Sequence, residues 1–357
     1  MNARRAAAVV LLMVATGALI RPAAASPIRW LAVQLGTHRF GHLTAPDAII
    51  ARAGPDEVGF ECGKPSACTS EQPAAGGCGC IDVLPQGPTS FDVAPDGSIW
   101  LLDGVKHRLL VWERGQPTRL ARSVPLPADV GDSDFVVGRD GTIYVFGSNV
   151  PRRPYLWLYA LTRAGRVRWK APTTVASSQA QLLVARDGIV YSAGPSASPT
   201  WTPLATSAGR PLPLALQRRR SSPLQPLTRK LRLLTTQVSQ REAHVALVDR
   251  THRIVRAWRI TSRTNLALVR ATSALVGGEV VAPLDVSRRS GSEHLVLKLG
   301  PTGAARQRIA LDAHSVWDPD GSTARTTLRI GADGRLYQLR TDPAKGVTIA
   351  RYSLGRD

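Results

Sequence analysis

The chain has 357 residues, 43% of them hydrophobic and 20% charged, so it can bury a core, and wholesale disorder is excluded. At roughly 150 residues per domain the length fits about two domains, or one closed all-β repeat fold. Forty-six basic against 26 acidic residues give a formal charge of +20. Forty of the 46 are arginine, a skew that a GC-rich coding sequence produces without any ligand, so a basic patch has to be argued from position and not from composition.

Residues 1–25 read as a secretory signal peptide. Arg4 and Arg5 supply the positive start, Ala6 to Ile20 an apolar run, and Ala23-Ala24-Ala25 the small residues before cleavage ahead of Ser26. The run is shorter than the ~20 apolar residues of a membrane span, and no second long run follows. A secreted or cell-envelope monomer with no membrane span in the mature chain is the expectation. The segment 26–87 holds all four cysteines, Cys62, Cys68, Cys78 and Cys80. Export to an oxidising compartment makes two disulfides the expected state. A Cys78–Cys80 bridge would close a very small, strained ring, so both are expected to pair back to Cys62 and Cys68. A zinc site is the rival, although its C-x5-C-x9-C-x-C spacing matches no common zinc module.

From residue 88 onward the sequence repeats. FDVAPDGSIWLL (91–102), FVVGRDGTIYVF (135–146), LLVARDGIVYS (182–192) and LRIGADGRLYQL (328–339) each alternate apolar residues, break at Asp-Gly and resume with apolar and aromatic residues. Asp-Gly between alternating strands marks a tight hairpin, because glycine supplies φ > 0 without steric cost. A second hairpin recurs out of phase, with turns at Gly115, Gly165, Gly209, Thr251 and Gly303, and a further copy that starts at Val347 stops at its turn. Two hairpins in roughly 45 residues make one four-stranded propeller blade. The expected fold is all-β, a six-bladed β-propeller of four-stranded antiparallel blades over 88–357. The sixth blade lacks its outermost strand, which either Ile28–Leu35 or Ala48–Arg52 can supply.

Asp103-Gly-Val-Lys-His107-Arg108-Leu-Leu-Val-Trp112 resembles the NHL repeat, whose core reads D-x-x-N-H-R-I-x-V-F; Lys106 replaces the usual Asn. A fainter echo runs from Asp249 through His252 and Arg253 to Ile254. The resemblance implies a six-bladed propeller of a kind that mostly binds other molecules, a minority being lyases or lactonase relatives. It also implies that Asp103 and Arg108 hold blade geometry. LYALTRAGRVRWK (158–170) resembles a quinoprotein-type repeat but occurs once, which does not support a quinone cofactor.

Blade order sorts the loops between two faces. Turns joining strands 1 and 2, and 3 and 4, share the Asp-Gly face. Loops joining strands 2 and 3, and successive blades, share the other, which is the more basic. Its candidate ligand-binding residues are Lys106, His107, Arg152, Arg153, Arg241, Arg288, Arg289 and Lys345. Clustered cations concentrate anions, and arginine suits carboxylate and phosphate. Most Trp and Tyr, among them Trp100, Trp112, Tyr144, Trp157 and Tyr191, fall on strands, and a single-strand nucleic-acid reader wants them exposed between cations. With export, this points away from nucleic acid and toward an anionic wall or extracellular polymer, or a protein.

Asp129, Asp132 and Asp134, and Asp318 and Asp320 in WDPDGS, form two acidic loop clusters. Carboxylates on a flexible loop suit calcium, and D-x-D-G resembles part of a calcium loop without its later ligands. No other cofactor is indicated. The seven glutamates do not recur on inner strands, and no G-x-S-x-G occurs. A non-catalytic binding propeller is therefore the leading reading. The alternative is a divalent-metal-dependent hydrolase or lyase at the central channel mouth, with the five aspartates as ligands.

Overall fold

The computed structural model describes residues 28–60, 87–88, 90–149, 155–176, 180–194, 200–268, 274–289, 291–303, 305–313, 315 and 327–355. Residues 1–25, expected to be a signal peptide, the four cysteines, Arg152, Arg153, Asp318 and Asp320 lie outside the described residues.

Two strands, β1 (Trp30–Gln34) and β2 (Ala48–Ala53), precede a ring of six sheets. Blade 1 comprises β3 (Ser90–Val93), β4 (Ile99–Asp103), β5 (Arg108–Trp112) and β6 (Leu120–Pro125). Blade 2 comprises β7 (Val130–Val137), β8 (Ile143–Asn149), β9 (Leu156–Leu161) and β10 (Val167–Pro172). Blade 3 has β11 (Gln181–Val184), β12 (Val190–Ala193) and β13 (Trp201–Ala205), then a short helix α1 (Leu214–Arg220) where a fourth strand belongs. Blade 4 comprises β14 (Gln225–Pro226), β15 (Leu231–Ser239), β16 (Glu242–Asp249) and β17 (Ile254–Thr261). In blade 5 the inner position is split between β18 (Asn265–Leu268) and β19 (Ala274–Val276), both paired with β20 (Glu279–Arg288), and β21 (Gly291–Leu299) and β22 (Ala305–Asp312) follow. Blade 6 comprises β23 (Leu328–Ile330), β24 (Leu336–Asp342) and β25 (Gly346–Tyr352), and β2 is its outermost strand. The fold is thus an all-β six-bladed propeller, with blade 3 one strand short.

The Asp-Gly repeats make the same turn four times. The Oδ1 atoms of Asp96, Asp140, Asp187 and Asp333 accept the backbone N–H two residues on, from Ser98, Thr142, Ile189 and Arg335. The intervening glycines, Gly97, Gly141, Gly188 and Gly334, have φ between 74° and 83°, where a β-carbon is strained. Alternation then puts apolar side chains between blades. Shared buried clusters join blades 1 and 2 (Trp100, Leu109 with Phe135, Ile143), 2 and 3 (Phe146, Leu158 with Leu182, Leu204), 4 and 5 (Val245, Trp258 with Leu284, Leu297), 5 and 6 (Val281, Ile309 with Leu336, Tyr352), and 6 and 1 (Leu339, Ile349 with Leu101, Trp112). No described cluster bridges blades 3 and 4; the remaining one, Ala246, Val248 and Ala257, belongs to blade 4.

The two candidate closing strands part company. Ala48–Ala53 closes the ring, antiparallel to β25, with Ala51 opposite Ile349 and Ala53 opposite Val347. Trp30–Gln34 instead adds a fifth strand to blade 4, parallel to β17. Between and beyond them the chain forms a belt around the outside of the ring. Arg263 N–H donates to the Gly36 carbonyl at 2.8 Å and Thr44 N–H to that of Ala310 at 2.8 Å. The belt then crosses blade 6 as β2 and ends on blade 1, where Gly59 N–H donates to Asp103 Oδ1 at 3.1 Å. Among the described residues no helix is long and apolar enough to cross a membrane.

Candidate functional site: the central channel and the basic loop face

The inner strands surround a channel. Toward the Asp-Gly face it widens into a cavity of about 470 Å³. Its wall is mostly Val, Leu, Ile, Pro and Ala, with Arg139 and Arg186 near the turns and Asp92 and Arg329 deeper. Asp92, Val136, Leu183 and Arg329 occupy the same position of the repeat, the second residue of FDVA, FVVG, LLVA and LRIG. An acid and a base thus stand where other blades carry aliphatic residues.

Arg329 is 6% exposed and its donors are committed. Nε donates to the Phe91 carbonyl at 3.2 Å, Nη1 to that of Leu182 at 3.0 Å, and Nη2 to that of Phe135 at 3.1 Å. The same Nη2 lies 3.3 Å from Asp134 Oδ2. One side chain from blade 6 therefore ties the inner strands of blades 1, 2 and 3. Asp134, expected in a loop, instead lies in β7 and is fully buried. It accepts the Ser90 hydroxyl and, at 2.7 Å, the Leu182 N–H. Asp92 accepts the Val137 N–H at 2.7 Å, with Arg329 Nε 3.7 Å away. Burial pushes its carboxyl above the ordinary carboxylate range, against the pull of Arg329.

Of the other expected metal ligands, only the Asp129 side chain is described, and it is committed elsewhere. Asp129 accepts the Tyr159 hydroxyl and pairs with Lys170 at 3.6 Å; the tyrosine bond is the main cause holding its carboxyl below the ordinary range. Asp132 lies in β7, and its side chain is outside the described ones. Among the described residues no three His, Cys, Asp or Glu side chains converge on one point.

On the basic face the belt has used part of the charge. Lys106 Nζ donates to the Asp56 carbonyl at 2.9 Å, and Arg108 donates to Asp103 Oδ2 at 3.1 Å and to the Glu57 carbonyl. Asp103 and Arg108 thus do hold this loop. His107 is exposed, at φ 49°. The fainter echo sits in the strand 3–4 turn of blade 4, on the opposite face, so the two are not equivalent positions. Lys345 pairs with Asp342 at 3.0 Å.

Over blades 4 and 5 the charge is uncommitted. Arg241, in the strand 2–3 loop of blade 4, Arg263, between blades 4 and 5, Arg288 and Arg289, in the strand 2–3 loop of blade 5, and Arg39 of the belt are exposed and form no ion pair among the described residues. The patch is continuous. Ser262 N–H donates to the Arg241 carbonyl at 3.0 Å. His38 N–H donates to Thr264 Oγ1 at 2.9 Å, and its ring meets Phe40 edge-on at 4.8 Å. The Arg288 guanidinium lies 4.4 Å from the Phe40 ring centre. Neighbouring carboxylates are satisfied elsewhere: Glu293 by His38 and Gly41 N–H, Glu242 by His244 and Arg259. Arg39 and Arg263 were not among the sequence candidates: the path of the belt that carries Arg39 has no repeat signature, and Arg263 is in an inter-blade loop whereas the candidates came from the strand 2–3 loops.

No protein-family model matches the chain, and no curated protein does. Among solved structures it is similar to a streptogramin B lyase (11% identity, 79% of this chain and 95% of that one, TM-score 0.40). It is also similar to virginiamycin B lyase from Staphylococcus aureus (12%, 76% and 85%, 0.36) and to a luciferin-regenerating enzyme (12%, 75% and 92%, 0.40). Likenesses this low leave the sheet order above to carry the fold.

Proposed function

We propose that this chain is a secreted, non-catalytic propeller whose basic loop face, over blades 4 and 5, binds an anionic polymer or an acidic protein surface. The observation that carries the reading is the contiguous set Arg39, Arg241, Arg263, Arg288 and Arg289, exposed and without ion pairs among the described residues. Flexible exposed cations of one sign raise the local concentration of a polyanion, and each pairs with carboxylate, sulfate or phosphate oxygens. Phe40, His38 and Arg288 give the patch a semi-rigid centre. The rival reading, a divalent-metal-dependent hydrolase or lyase at the channel mouth, draws on Asp129, Asp132, Asp134, Asp318 and Asp320, of which the side chains of Asp134 and Asp129 are described. Commitment of these two to Arg329 and to Tyr159 favours binding over that chemistry.

Heparin is a suitable polyanionic probe. Changing Arg241, Arg263, Arg288 and Arg289 to Ser is expected to leave the fold intact, since exposed substitutions usually stay within about 0.5 kcal/mol. Heparin binding should weaken and its salt dependence flatten, because fewer paired charges release fewer counterions. Arg114, Arg119, Arg166 and Arg335, exposed near the opposite face, are the charge-matched control. Equal weakening in both variants would reduce the effect to net charge and remove the site.

A further inference from the structure

The one blade interface that, among the described residues, has no shared hydrophobic cluster holds a cavity instead. It lies between blades 3 and 4 and measures about 640 Å³, within the range of small-molecule sites. Its origin is local. After β13 the chain makes only single bridges, Ala205 with Pro211 and Trp201 with Ser222, and spends the intervening residues on α1. The facing inner strand, β14, is two residues long and ends in Pro226. Neither blade supplies the side chains that fill the other five interfaces.

The walls are apolar: Ile189, Tyr191, Trp201 and Pro203 from blade 3, and Leu224 and Pro226 from blade 4. Two polar groups on them are unmet within the protein. The Trp201 indole N–H and the Tyr191 hydroxyl have no described hydrogen-bond partner, and neither is a sealed buried atom, so both are open to a group that enters the cavity. Among the other described tryptophans, Trp100, Trp112, Trp169 and Trp258 donate their indole N–H to a protein oxygen, while Trp30 and Trp157, like Trp201, have no described acceptor.

The rim is basic. Arg219 and Arg220 come from the last turn of α1, Arg232 from β15, and Arg250 and His252 from the β16–β17 turn. Among the described residues none of the four arginines forms an ion pair. The single acid, Asp187, is the turn residue that accepts Ile189 N–H. Four guanidiniums against one carboxylate leave a local excess of +3 with His252 neutral. Burial and Asp187 raise the Tyr191 phenol, while Arg232 and Arg220 pull it down, so both guanidiniums act on the cavity wall. Like charges converging on an open cavity repel one another unless an anion joins them.

We infer that the seam between blades 3 and 4 is a ligand site for a small organic phosphate monoester, its dianionic head between Arg220 and Arg232 and its aryl or alkyl body on Tyr191, Trp201 and Leu224. A dianion matches the excess charge better than a carboxylate, and guanidinium forks bind phosphate bidentately. The apolar walls select an organic ester over free phosphate, and the Trp201 N–H donates to an oxygen of the ligand. This site is on the far side of the ring's loop arrangement from Arg241 and Arg288, and it is independent of the polyanion reading.

Phenyl phosphate is the probe, with inorganic phosphate, benzoate and phenol as comparators, read by quenching of tryptophan fluorescence and by the melting temperature of the full mature chain. Phenyl phosphate is expected to bind at least about tenfold more tightly than each comparator and to raise the melting temperature. The paired change Arg220→Ser and Arg232→Ser should weaken it at least about tenfold. Trp201→Phe, which keeps the ring and removes the donor, should weaken it several-fold; this second variant keeps the test valid if the arginine pair disturbs folding. The loop-face variant lacking Arg241, Arg263, Arg288 and Arg289 should bind phenyl phosphate unchanged, so failure of either site is told from failure of the other. Absence of saturable binding, equal affinity for inorganic phosphate, or indifference to both seam variants would each overturn the assignment.

Discussion

Changing Arg329 to Met tests whether the ring depends on a charge at its axis. Methionine keeps much of the apolar stem but removes all the donors. Asp134, fully buried, is then left without its cation, and the Phe91, Leu182 and Phe135 carbonyls each lose a bond. Breaking a buried, hydrogen-bonded ion pair from one side costs about 3–5 kcal/mol. The carbonyl bonds add roughly 1 kcal/mol each where water cannot replace them, and the cavity lets water reach some of them. A loss of about 4–6 kcal/mol follows, or about 8–24 °C in Tm at 2–4 °C per kcal/mol. Calorimetry with the fluorescence of the buried Trp100, Trp112 and Trp258 reads it. Adding Asp134→Asn should restore at least about 1 kcal/mol relative to the sum of the single changes, because the second change removes the stranded charge. A single-variant loss below about 1 kcal/mol, with an additive cycle, would refute the idea that this pair knits the inner strands.

The blades were legible because their code is local. Asp-Gly turns and period-two alternation lie within about a dozen residues, and both depend on contacts between sequence neighbours. The belt was only half legible. Both Trp30–Gln34 and Ala48–Ala53 alternate like strands, but which edge each joins is decided by partners more than 200 residues away, Ala257–Thr261 and Val347–Arg351. The Arg329 hub left a trace that periodicity alone does not flag. Asp92 and Arg329 hold the same repeat position as Val136 and Leu183, and a charge at an inward repeat position points to a partner across the axis. Asp134 misleads for the opposite reason, since Asp132 and Asp129 before it give a buried residue the look of an acidic loop. The basic face was legible by loop order, but the belt's use of Lys106 and Arg108 was not, because its own backbone carbonyls supply the acceptors.

Asp92→Asn should stabilise the protein near pH 7 and not near pH 3. Its carboxyl is held above the ordinary value, so the folded chain keeps a proton that the unfolded chain has released; wild-type stability therefore falls as pH rises from about 4 through the folded value, and the variant lacks that slope in thermal melts. Ala51→Asp puts a carboxylate at a 1% exposed position of the closing strand and should open blade 6 to edge pairing, seen as aggregation by light scattering, whereas Arg52→Asp on the exposed alternate face should stay monomeric; matching behaviour of the two would show that β2 is not an integral strand. The last prediction concerns Asp103, where the belt ends. This fully buried carboxylate accepts Gly59 N–H at 3.1 Å, Lys106 N–H at 3.3 Å and Arg108 Nε at 3.1 Å, and the two cations in turn hold the Asp56 and Glu57 carbonyls. Asp103→Ala strands Arg108, but that side chain is 24% exposed, so water recovers part of the loss and about 2–3 kcal/mol is expected in place of the full cost of a sealed pair. Asp103→Asn keeps an acceptor for Gly59 while losing the charge, and should lose about half as much. Because the anchor is local, cleavage by a protease within 54–60 should accelerate in both variants well below the melting temperature. Unchanged cleavage there, with Ala and Asn equally destabilised, would mean that Asp103 serves the blade alone and that the belt is held by β2.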